Sequence, residues 1–324
     1  MRYDKQTIGQ LASELGFVRD TYEKTLRLVE VLQFIESDTL LFDSFALKGG
    51  TAINLMIIQL PRLSVDIDLD YCRSISREIM IEDRTVITDK ITLFMDANGY
   101  RHSDKSKRHY SLESHVFEYT NSGGAKDNIK IEINFSMRAH VLPLEVRKTA
   151  IPGIIQEIRS RCVSSIEILS SKIVALLTRG AARDLYDVSK MISLLSLNER
   201  EIELLRKCTL FYFSIGSTGI PESFDFDRLK SITKYRIRTE LLPVLRKEEK
   251  IDLDEMLSKV EKFLSELLVF TIEERDFIDR FRKHDYDPGL LFDDKEIVER
   301  IRFHPDGAVE NKRSLKSYKV GPRC

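Results

Sequence analysis

The sequence predicts an α+β protein, in which a mixed β-sheet with helices is followed by an all-helical domain. Two observations lead to this prediction. Between residues 42 and 135, short runs with alternating apolar residues lie between stretches of helical periodicity. After Pro152, apolar residues recur at helical spacing. With 324 residues, 42% of them hydrophobic, the chain is long enough for two domains with separate cores.

The first 43 residues are predicted to form helices that pack on the next domain. Apolar residues recur there at helical spacing, with charged residues between them. The apolar run 42–47 then predicts a buried strand that ends at Lys48. The core domain is therefore expected to begin at about residue 44.

A glycine-rich turn follows this strand. Gly49 and Gly50 suit a tight turn, and Thr51 is a residue type that caps helices. The helix itself is expected over residues 52–60, before Pro61. Free N–H groups at the start of a helix suit phosphate oxygens, so the turn is a candidate phosphate site. Two neighbouring side chains could add donors: Lys48 and Ser64.

Three aspartates share one face of the strand predicted over Val65–Tyr71. Burying Asp66, Asp68 and Asp70 side by side costs several kcal/mol unless a cation compensates them. Mg²⁺ prefers such oxygen ligands and keeps substrate phosphates in its shell. We therefore predict that Asp66 and Asp68 bind a pair of Mg²⁺ ions, whereas Asp70 is solvated or lies behind the ligands. The alternative is a solvated surface strand, for which an Asp-x-Asp pair alone is typical.

The sequence between residues 79 and 135 predicts a helix followed by a β-meander. A helix is expected over residues 79–98, a strand over 116–120, a turn over 121–124 and a strand over 129–135. Glu132 is the one acid on the polar face of the last strand. Strand alternation alone makes it the candidate for a third metal ligand.

The second half is predicted to be helical. The candidate helices are 164–177, 181–195, 199–213, 226–245, 253–268 and 271–282. The predicted domains are therefore N-terminal helices (1–43), the core (44–150), the helical domain (151–306) and a basic, flexible tail (307–324).

The net charge, the hydropathy and the cysteine spacing limit the kinds of function and cellular setting that the chain can have. The net charge is −1, so any nucleic-acid contact must come from a local basic patch. Candidate patches are Arg101–Arg108, Lys234–Arg238 and Lys312–Lys319, although each could be a solvated surface. The chain has no apolar run long enough for a membrane span and no signal-peptide core. The four cysteines form no C-x-x-C pair, which favours a reducing, cytoplasmic setting over a zinc or disulfide framework.

Several motifs together resemble a known family. Leu47–Ala52 (LKGGTA) and Arg62–Asp70 (RLSVDIDLD) are similar to the nucleotidyltransferase superfamily, which has the DNA polymerase β fold. Ser171–Asp187, Tyr286–Phe292 and His304-Pro305 resemble segments of its AbiEii/AbiGii (MenT-like) toxins. The resemblance runs from about residue 40 to 306. It implies that Asp66 and Asp68 bind Mg²⁺ and that three residues of the turn hold phosphates: Gly49, Gly50 and Thr51.

The same resemblance assigns roles in the helical half. It implies that Lys172 contacts the nucleotide's phosphates and that Asp184 is a further essential acid. A continuous helix would place Lys172, Arg179 and Arg183 on one face, although Gly180 could break it. The alternative is a solvated Lys172 and an ion pair between Arg183 and Asp187.

Together these features predict an Mg²⁺-dependent nucleotidyltransferase that moves a nucleoside monophosphate from an NTP to an acceptor hydroxyl. By resemblance, the acceptor is the 3′ end of tRNA, and the enzyme is a toxin of an abortive-infection-type, antiviral toxin–antitoxin system, restrained by a cognate antitoxin. The catalytic cleft is expected between the two domains. Two alternatives stay open: a small-molecule nucleotidyltransferase, such as one acting on an aminoglycoside, and a catalytically silent binding partner.

Overall fold

The computed structural model describes residues 4–73, 75–152, 157–216, 219–302 and 304. Within it the chain forms two compact units. Unit 1 comprises Met1–Arg138, Leu144–Val163 and Arg238–Ile251, and unit 2 comprises Ala139–Pro143, Ser164–Ile237 and Asp252–Cys324. The predicted tail 307–324, the patch Lys312–Lys319 and Pro305 lie outside the described residues.

Unit 1 is built on one mixed, eight-stranded sheet with the order β3-β5-β6-β2-β1-β8-β7, in which β4 also pairs with β5. The central strand β2 runs antiparallel to β1 and parallel to β6, and β1 runs parallel to β8. The mixed sheet predicted from the sequence is thus confirmed. The strands are β1 (Phe45–Lys48), β2 (Asp66–Tyr71), β3 (Arg101–His102), β4 (Lys107–Arg108), β5 (Leu112–Thr120), β6 (Lys126–Asn134), β7 (Glu145–Thr149) and β8 (Ile158–Cys162).

Period-two alternation explains the central strands. On β2, buried Ile67 and Leu69 alternate with half-buried Asp66 and Asp68. On β6, the odd-numbered residues from Ile129 to Ile133 are buried. One face of each strand therefore contributes to the core. The other face carries the acids.

Four strands were not predicted: the two-residue strands β3 and β4, and the longer strands β7 and β8. The sequence indicated helices after Pro152, but β8 occupies Ile158–Cys162 and pairs with β7. Ile158, Ser160 and Cys162 of β8 point inward. The run is only five residues long and has two arginines, so its apolar signal was too weak for a prediction.

Five α-helices flank these strands in the chain. The helix predicted over 52–60 is instead a short α-turn followed by a π-helix, Ala52–Ile57, and the chain then leaves the helix through positive φ at Gln59 and Leu60. Gly99 follows the long helix as the expected stop, also with positive φ. The α-helices are α1 (Lys5–Glu14), α2 (Arg19–Ser37), α3 (Thr39–Ser44), α4 (Gly49–Thr51) and α5 (Arg77–Ala97).

The described part of unit 2 contains helices and no strand. The single helix predicted over 226–245 is wrong. The chain turns after Lys230 and restarts with the side chain of Thr233 as N-cap. It then enters the Arg238–Ile251 segment of unit 1 through a π-helix, Ile237–Leu241, and a 3₁₀ turn, Leu242–Val244. The α-helices are α6 (Ser165–Arg179), α7 (Ala182–Leu194), α8 (Glu199–Ile215), α9 (Asp227–Lys230), α10 (Lys234–Arg236), α11 (Leu253–Leu267), α12 (Ile272–Arg282) and α13 (Lys295–Ile301).

In the described residues, none of the helices has the length and apolar character needed to cross a membrane.

Candidate functional site

Three carboxylates and one ammonium share a face of the sheet in unit 1. In the parallel register of β2 and β6, Asp66 lies beside Lys130, and Asp68 lies beside Glu132. Cross-strand partners project to the same side of a sheet, so these four side chains form one group, which we call the carboxylate face. All four are half-buried. The predicted metal ligands Asp66, Asp68 and Glu132 are thus brought together.

The glycine turn lies against this face. Lys48, the last residue of β1, is paired in register with Asp68. Gly49 follows with φ of +65°, and a Cβ atom placed on it would lie 2.1 Å from Oδ2 of Asp68. Glycine is required twice over, by the left-handed backbone and by the close approach of the carboxylate. The turn therefore adjoins the acids, as the sequence predicted.

Thr51 has a different role from the predicted helix cap. The helix begins earlier, with Lys48 at its N-cap position, and Thr51 is fully buried. Its hydroxyl donates to the carbonyl of Asp66 and lies 2.8 Å from Oγ of Ser64. Thr51 and Ser64 thus fasten the turn to the start of β2, and phosphate contacts at Thr51 would have to use its backbone.

Asp70 is neither solvated nor part of the carboxylate face. Its side chain is 2% exposed, and its Oδ1 atom lies 2.5 Å from Nζ of Lys48. Burial acts to lower the pKa of Lys48, but the charges of Asp70 and Asp68 outweigh it and raise the pKa. Lys48 therefore stays cationic and links the turn to the middle of the sheet.

Arg62 is a residue that the sequence analysis did not assign. It is 3% exposed, and its Nη1 atom donates to the carbonyl of Leu63 over 2.8 Å. A Cβ atom on Gly50 would lie 3.0 Å from its Nη2 atom. A buried guanidinium thus sits directly beneath the turn. Its signal in the sequence is that it is the one charged residue between positions 52 and 63.

The carboxylate face offers the hard oxygen donors that Mg²⁺ prefers, but its three carboxylates are not arranged around a single metal position. No group of three or more His, Cys, Asp or Glu side chains, among residues with described positions, stands in an arrangement that could hold a metal ion. Glu132 is instead engaged with Lys130, whose Nζ atom lies 2.9 Å from its Oε1 atom. Burial acts to lower the pKa of Lys130, but Glu132, Asp66 and Asp68 raise it. Asp66 and Asp68 thus fit a metal, and Glu132 fits once it leaves Lys130.

The second group of predicted site residues lies in unit 2. Nζ of Lys172 on α6 lies 2.8 Å from Oδ1 of Asp184 and 3.2 Å from Oδ2 of Asp187, both on α7. Arg179 also binds Asp184, through Nε at 2.6 Å and Nη2 at 3.0 Å. We call these four residues the Lys172 cluster. The Lys172 side chain is 10% exposed, so the alternative of a solvated lysine is wrong.

Burial and ion pairing act in opposite directions on Asp184. Burial raises the pKa of Asp184, but Lys172 and Arg179 more than offset it and hold the pKa at about 2. The carboxylate therefore stays ionised at neutral pH, and the Lys172 cluster combines two cations with two carboxylates.

Lys172, Arg179 and Arg183 do not lie on one continuous helix. Gly180 adopts the left-handed conformation, with φ of +58°, between α6 and α7. A Cβ atom there would lie 2.5 Å from the carbonyl oxygen of Arg228, so glycine is needed at this break. The predicted break by Gly180 is thus confirmed, and the turn brings Asp184 back towards Lys172.

The other predicted features have mixed outcomes. In the patch Arg101–Arg108, Arg101 and Arg108 pair with acids of β5, at 2.8 Å and 2.7 Å. In the patch Lys234–Arg238, Arg236 donates to the carbonyl of Gly180 over 2.6 Å. Both patches thus use part of their charge within the fold.

The C-terminal motif serves the core of unit 2. The hydroxyl of Tyr286 donates to the carbonyl of Ile301 over 3.1 Å, and His304 packs edge-on against Phe211. Tyr286 and His304 are both buried. These contacts stabilise the helical unit.

Comparison with known proteins then identifies the family. The model of the family described as "Nucleotidyl transferase AbiEii toxin, Type IV TA system" matches residues 32–289, a range that includes the carboxylate face and the Lys172 cluster. The chain belongs to this AbiEii family. Among solved structures it is similar to MenT4, a nucleotidyltransferase toxin from Mycobacterium tuberculosis H37Rv, with a TM-score of 0.64 and 16% identity over 94% of this chain and 98% of that chain. No curated protein sequence matches it.

These findings confirm the fold class and the enzyme class predicted from the sequence. The likeness to MenT4 shows the nucleotidyltransferase fold. Membership of the AbiEii family makes the chain a nucleotidyltransferase, which uses an NTP, and the toxin of a type IV toxin–antitoxin system, with an antitoxin as its counterpart. The silent binding partner is therefore no longer an alternative.

Proposed function

We propose that this AbiEii-family enzyme transfers a nucleoside monophosphate from an NTP to the 3′ end of tRNA, with Mg²⁺ held at Asp66 and Asp68. The register of β2 and β6 is the observation that carries the proposal, because it puts two half-buried aspartates and Glu132 on one face beside the glycine turn. A nucleotidyltransferase needs such a group of oxygen donors for a metal–triphosphate complex.

In the proposed reaction the terminal hydroxyl of the acceptor forms a bond to the α-phosphorus of the NTP. The bond between the α-phosphorus and the bridging oxygen breaks, pyrophosphate leaves, and the hydroxyl proton is lost to water. Bound Mg²⁺ would stabilise charge on the phosphates and lower the pKa of the attacking hydroxyl. The chain's part is to hold the reacting groups in line and to supply fixed charges around them.

We assign the residues of unit 1 as follows. Asp66 and Asp68 are the metal ligands, and Glu132 joins them when it leaves Lys130. Backbone N–H groups of Gly49 and Gly50 face the phosphates, since the first turn of a helix has donors without acceptors inside the helix. Four side chains hold this turn in place: Lys48, Thr51, Arg62 and Ser64.

In unit 2 we propose that Lys172 contacts the phosphates and that Asp184 is the further essential acid. Family resemblance is the ground for both roles. Their close contact at 2.8 Å and deep burial support a fixed arrangement in which Asp184 and Asp187 orient the Lys172 ammonium. Arg179 binds Asp184 through Nε and Nη2 while its side chain remains 63% exposed, so it adds positive charge at the surface beside Lys172.

The acceptor is tested by incubating the purified chain with Mg²⁺, total tRNA and one labelled NTP at a time. The expected result is label on full-length tRNA with one or a few of the four NTPs, no label after periodate oxidation of the tRNA 3′ end, and none with the Asp66→Asn variant. Label transfer to an aminoglycoside or another small molecule, with tRNA unlabelled, would overturn the tRNA acceptor and support the small-molecule alternative.

The metal is tested in the same assay. Chelation with EDTA should abolish labelling, and Mg²⁺ should restore it. In cells, expression without the antitoxin should arrest growth and lower the aminoacylated fraction of the target tRNA, an effect that requires a cytoplasmic toxin. Protection from phage infection by the complete toxin–antitoxin pair would support the proposed role in antiviral defence.

A further inference from the structure

Lys130 is the cation among the four side chains of the carboxylate face, and Lys48 of β1 lies next to Asp68 at its edge. The proposed reaction has so far given Lys130 no role. It lies beside Asp66 in the strand register, and its Nζ atom is 2.9 Å from Oε1 of Glu132. Three carboxylates and one ammonium leave this face with two net negative charges.

The ordinary explanation of a Lys–Glu contact is a surface ion pair of small energy. Two observations argue against it here. Strand β6 lies inside the sheet, between β5 and β2, and the side chains of Lys130 and Glu132 are only 36% and 29% exposed. The lysine also lies next to the residues proposed to bind the metal, where removing its charge would leave three carboxylates facing each other.

We propose that Lys130 is a built-in cation that holds the carboxylate face together before the metal arrives and releases Glu132 when the metal binds. The inference rests on the proposed metal site at Asp66 and Asp68. A divalent ion at Asp66 and Asp68 competes with Lys130 for Glu132, because both cations attract the same carboxylate. Lys130 therefore sets how tightly the face binds a divalent ion and is a positioning residue for Glu132.

Removal of the ammonium gives the sharpest test. In the Lys130→Met variant the carboxylate face loses one positive charge, so it should bind a divalent ion more tightly. A unit charge about 6 Å from a divalent ion, even at the dielectric of water, predicts an increase in affinity of at least about tenfold. The measurement is titration of the full-length chain with Mn²⁺, without nucleotide, followed by the loss of the electron paramagnetic resonance signal of free Mn²⁺.

Three further variants make the comparison specific. Lys130→Arg keeps the charge and should bind Mn²⁺ as the parent does. Lys126→Met removes a lysine on the same face of the same strand, about 13 Å away along β6, and should also leave the affinity unchanged. A chain with Asp66→Asn and Asp68→Asn measures binding elsewhere on the protein, which is subtracted.

Thermal unfolding gives a second readout that does not depend on activity. Without metal, Lys130→Met should unfold at a lower temperature than the parent, because its carboxylates repel each other. Mn²⁺ should raise its unfolding temperature by more than it raises that of the parent.

The outcomes separate this inference from the proposed function. Equal or weaker Mn²⁺ binding by Lys130→Met, with aspartate-dependent binding in the parent, overturns the role of Lys130 and leaves the metal site standing. Binding in Lys130→Met alone supports the inference, with Lys130 keeping the parent site closed. Absence of aspartate-dependent binding in both chains overturns the inference and the metal site together.

Discussion

The carboxylate face of unit 1 and the Lys172 cluster of unit 2 both combine carboxylates with cations, but they differ in how far the cations balance the carboxylates. The carboxylate face has three acids, one lysine and half-buried side chains. The Lys172 cluster has two acids, two cations, and acids that are 1% exposed. A face with excess negative charge attracts an added cation. In the Lys172 cluster the positive and negative charges are equal in number and neutralise each other.

This difference predicts how strongly the stability of the fold depends on each group, beside the role that we propose for both groups in the reaction. Removing an acid from the carboxylate face should weaken ligand binding with little effect on folding. Removing a charge from the Lys172 cluster should weaken folding first, because its partner would be left buried and unpaired. Four variants, described from the largest expected effect to the smallest, test this contrast.

Asp66→Asn should reduce labelling of the acceptor by at least about 10³-fold, because loss of a metal ligand costs several kcal/mol of transition-state stabilisation, at about 1.36 kcal/mol for each tenfold change. Its free energy of unfolding should stay within about 1 kcal/mol of the parent value, since the side chain is half-buried on a face with excess negative charge. Urea denaturation and the tRNA-labelling assay measure the two effects. A large loss of stability would contradict this contrast, because it would show that Asp66 stabilises the fold as the acids of the Lys172 cluster do.

Lys172→Met should lower the free energy of unfolding by about 3–5 kcal/mol, because it leaves Asp184 and Asp187 buried without their shared ammonium. Urea denaturation measures the loss. The matched control adds Asp184→Asn and Asp187→Asn to Lys172→Met and should recover part of the stability without restoring activity. If Lys172→Met were as stable as the parent, the cluster would not be the buried, balanced group described above.

Gly49→Ala should cost about 1–3 kcal/mol of stability, because alanine is strained at φ of +65°. It should also lower labelling activity by at least about tenfold, since its Cβ atom displaces the Asp68 carboxylate that lies 2.1 Å away. Gly124→Ala is the matched control, because Gly124 has φ of +88° and nothing within 4 Å of an added Cβ. The control should lose similar stability and keep its activity; equal activity in both variants would contradict the close approach.

Asp184→Asn should flatten the acid side of the stability profile. The native pKa of about 2 is below the ordinary value of 3.8, so ionised Asp184 stabilises the fold above pH 4, and this contribution is lost as the pH falls through 2. The full contribution is about 2 kcal/mol, of which about 1 kcal/mol is lost between pH 7 and pH 3. Urea denaturation at the two pH values should show a smaller drop for the variant than for the parent.

Local patterns predicted much of the fold. The alternation of Asp66–Tyr71 and of residues 129–135 identified the two central strands, and α6, α7, α8, α11 and α12 lie within a few residues of their predicted bounds. Strands with weak local patterns were missed, namely β3 and β4, which pair with β5, and β7 and β8, of which β8 pairs with β1 and β7 pairs with β8. The segment 226–245 was predicted as one helix because its apolar spacing hides the turn at Ser231 and the restart at Thr233.

Local sequence patterns could not show which charges of the site are neutralised by a neighbouring charge of opposite sign. Asp66, Asp68 and Asp70 look equivalent on an alternating strand, yet Asp70 is buried against Lys48, while Asp66 and Asp68 adjoin Lys130 and Glu132. These neighbours come from other strands. Their distances depend on sheet register, which is a long-range property.

The sequence by itself therefore determined the class of enzyme and singled out the residues that we propose for the chemistry: the glycine turn, the acids of β2, and Lys172 with Asp184. Local periodicity fixes the face to which a side chain points, because it depends on backbone geometry within a few residues. The tertiary structure alone decided which of these charges are already satisfied. Strand pairing brings Lys48 to Asp70 and Lys130 to Asp66, and the turn at Gly180 brings Lys172 to Asp184; these contacts join separate elements, so local periodicity does not determine them.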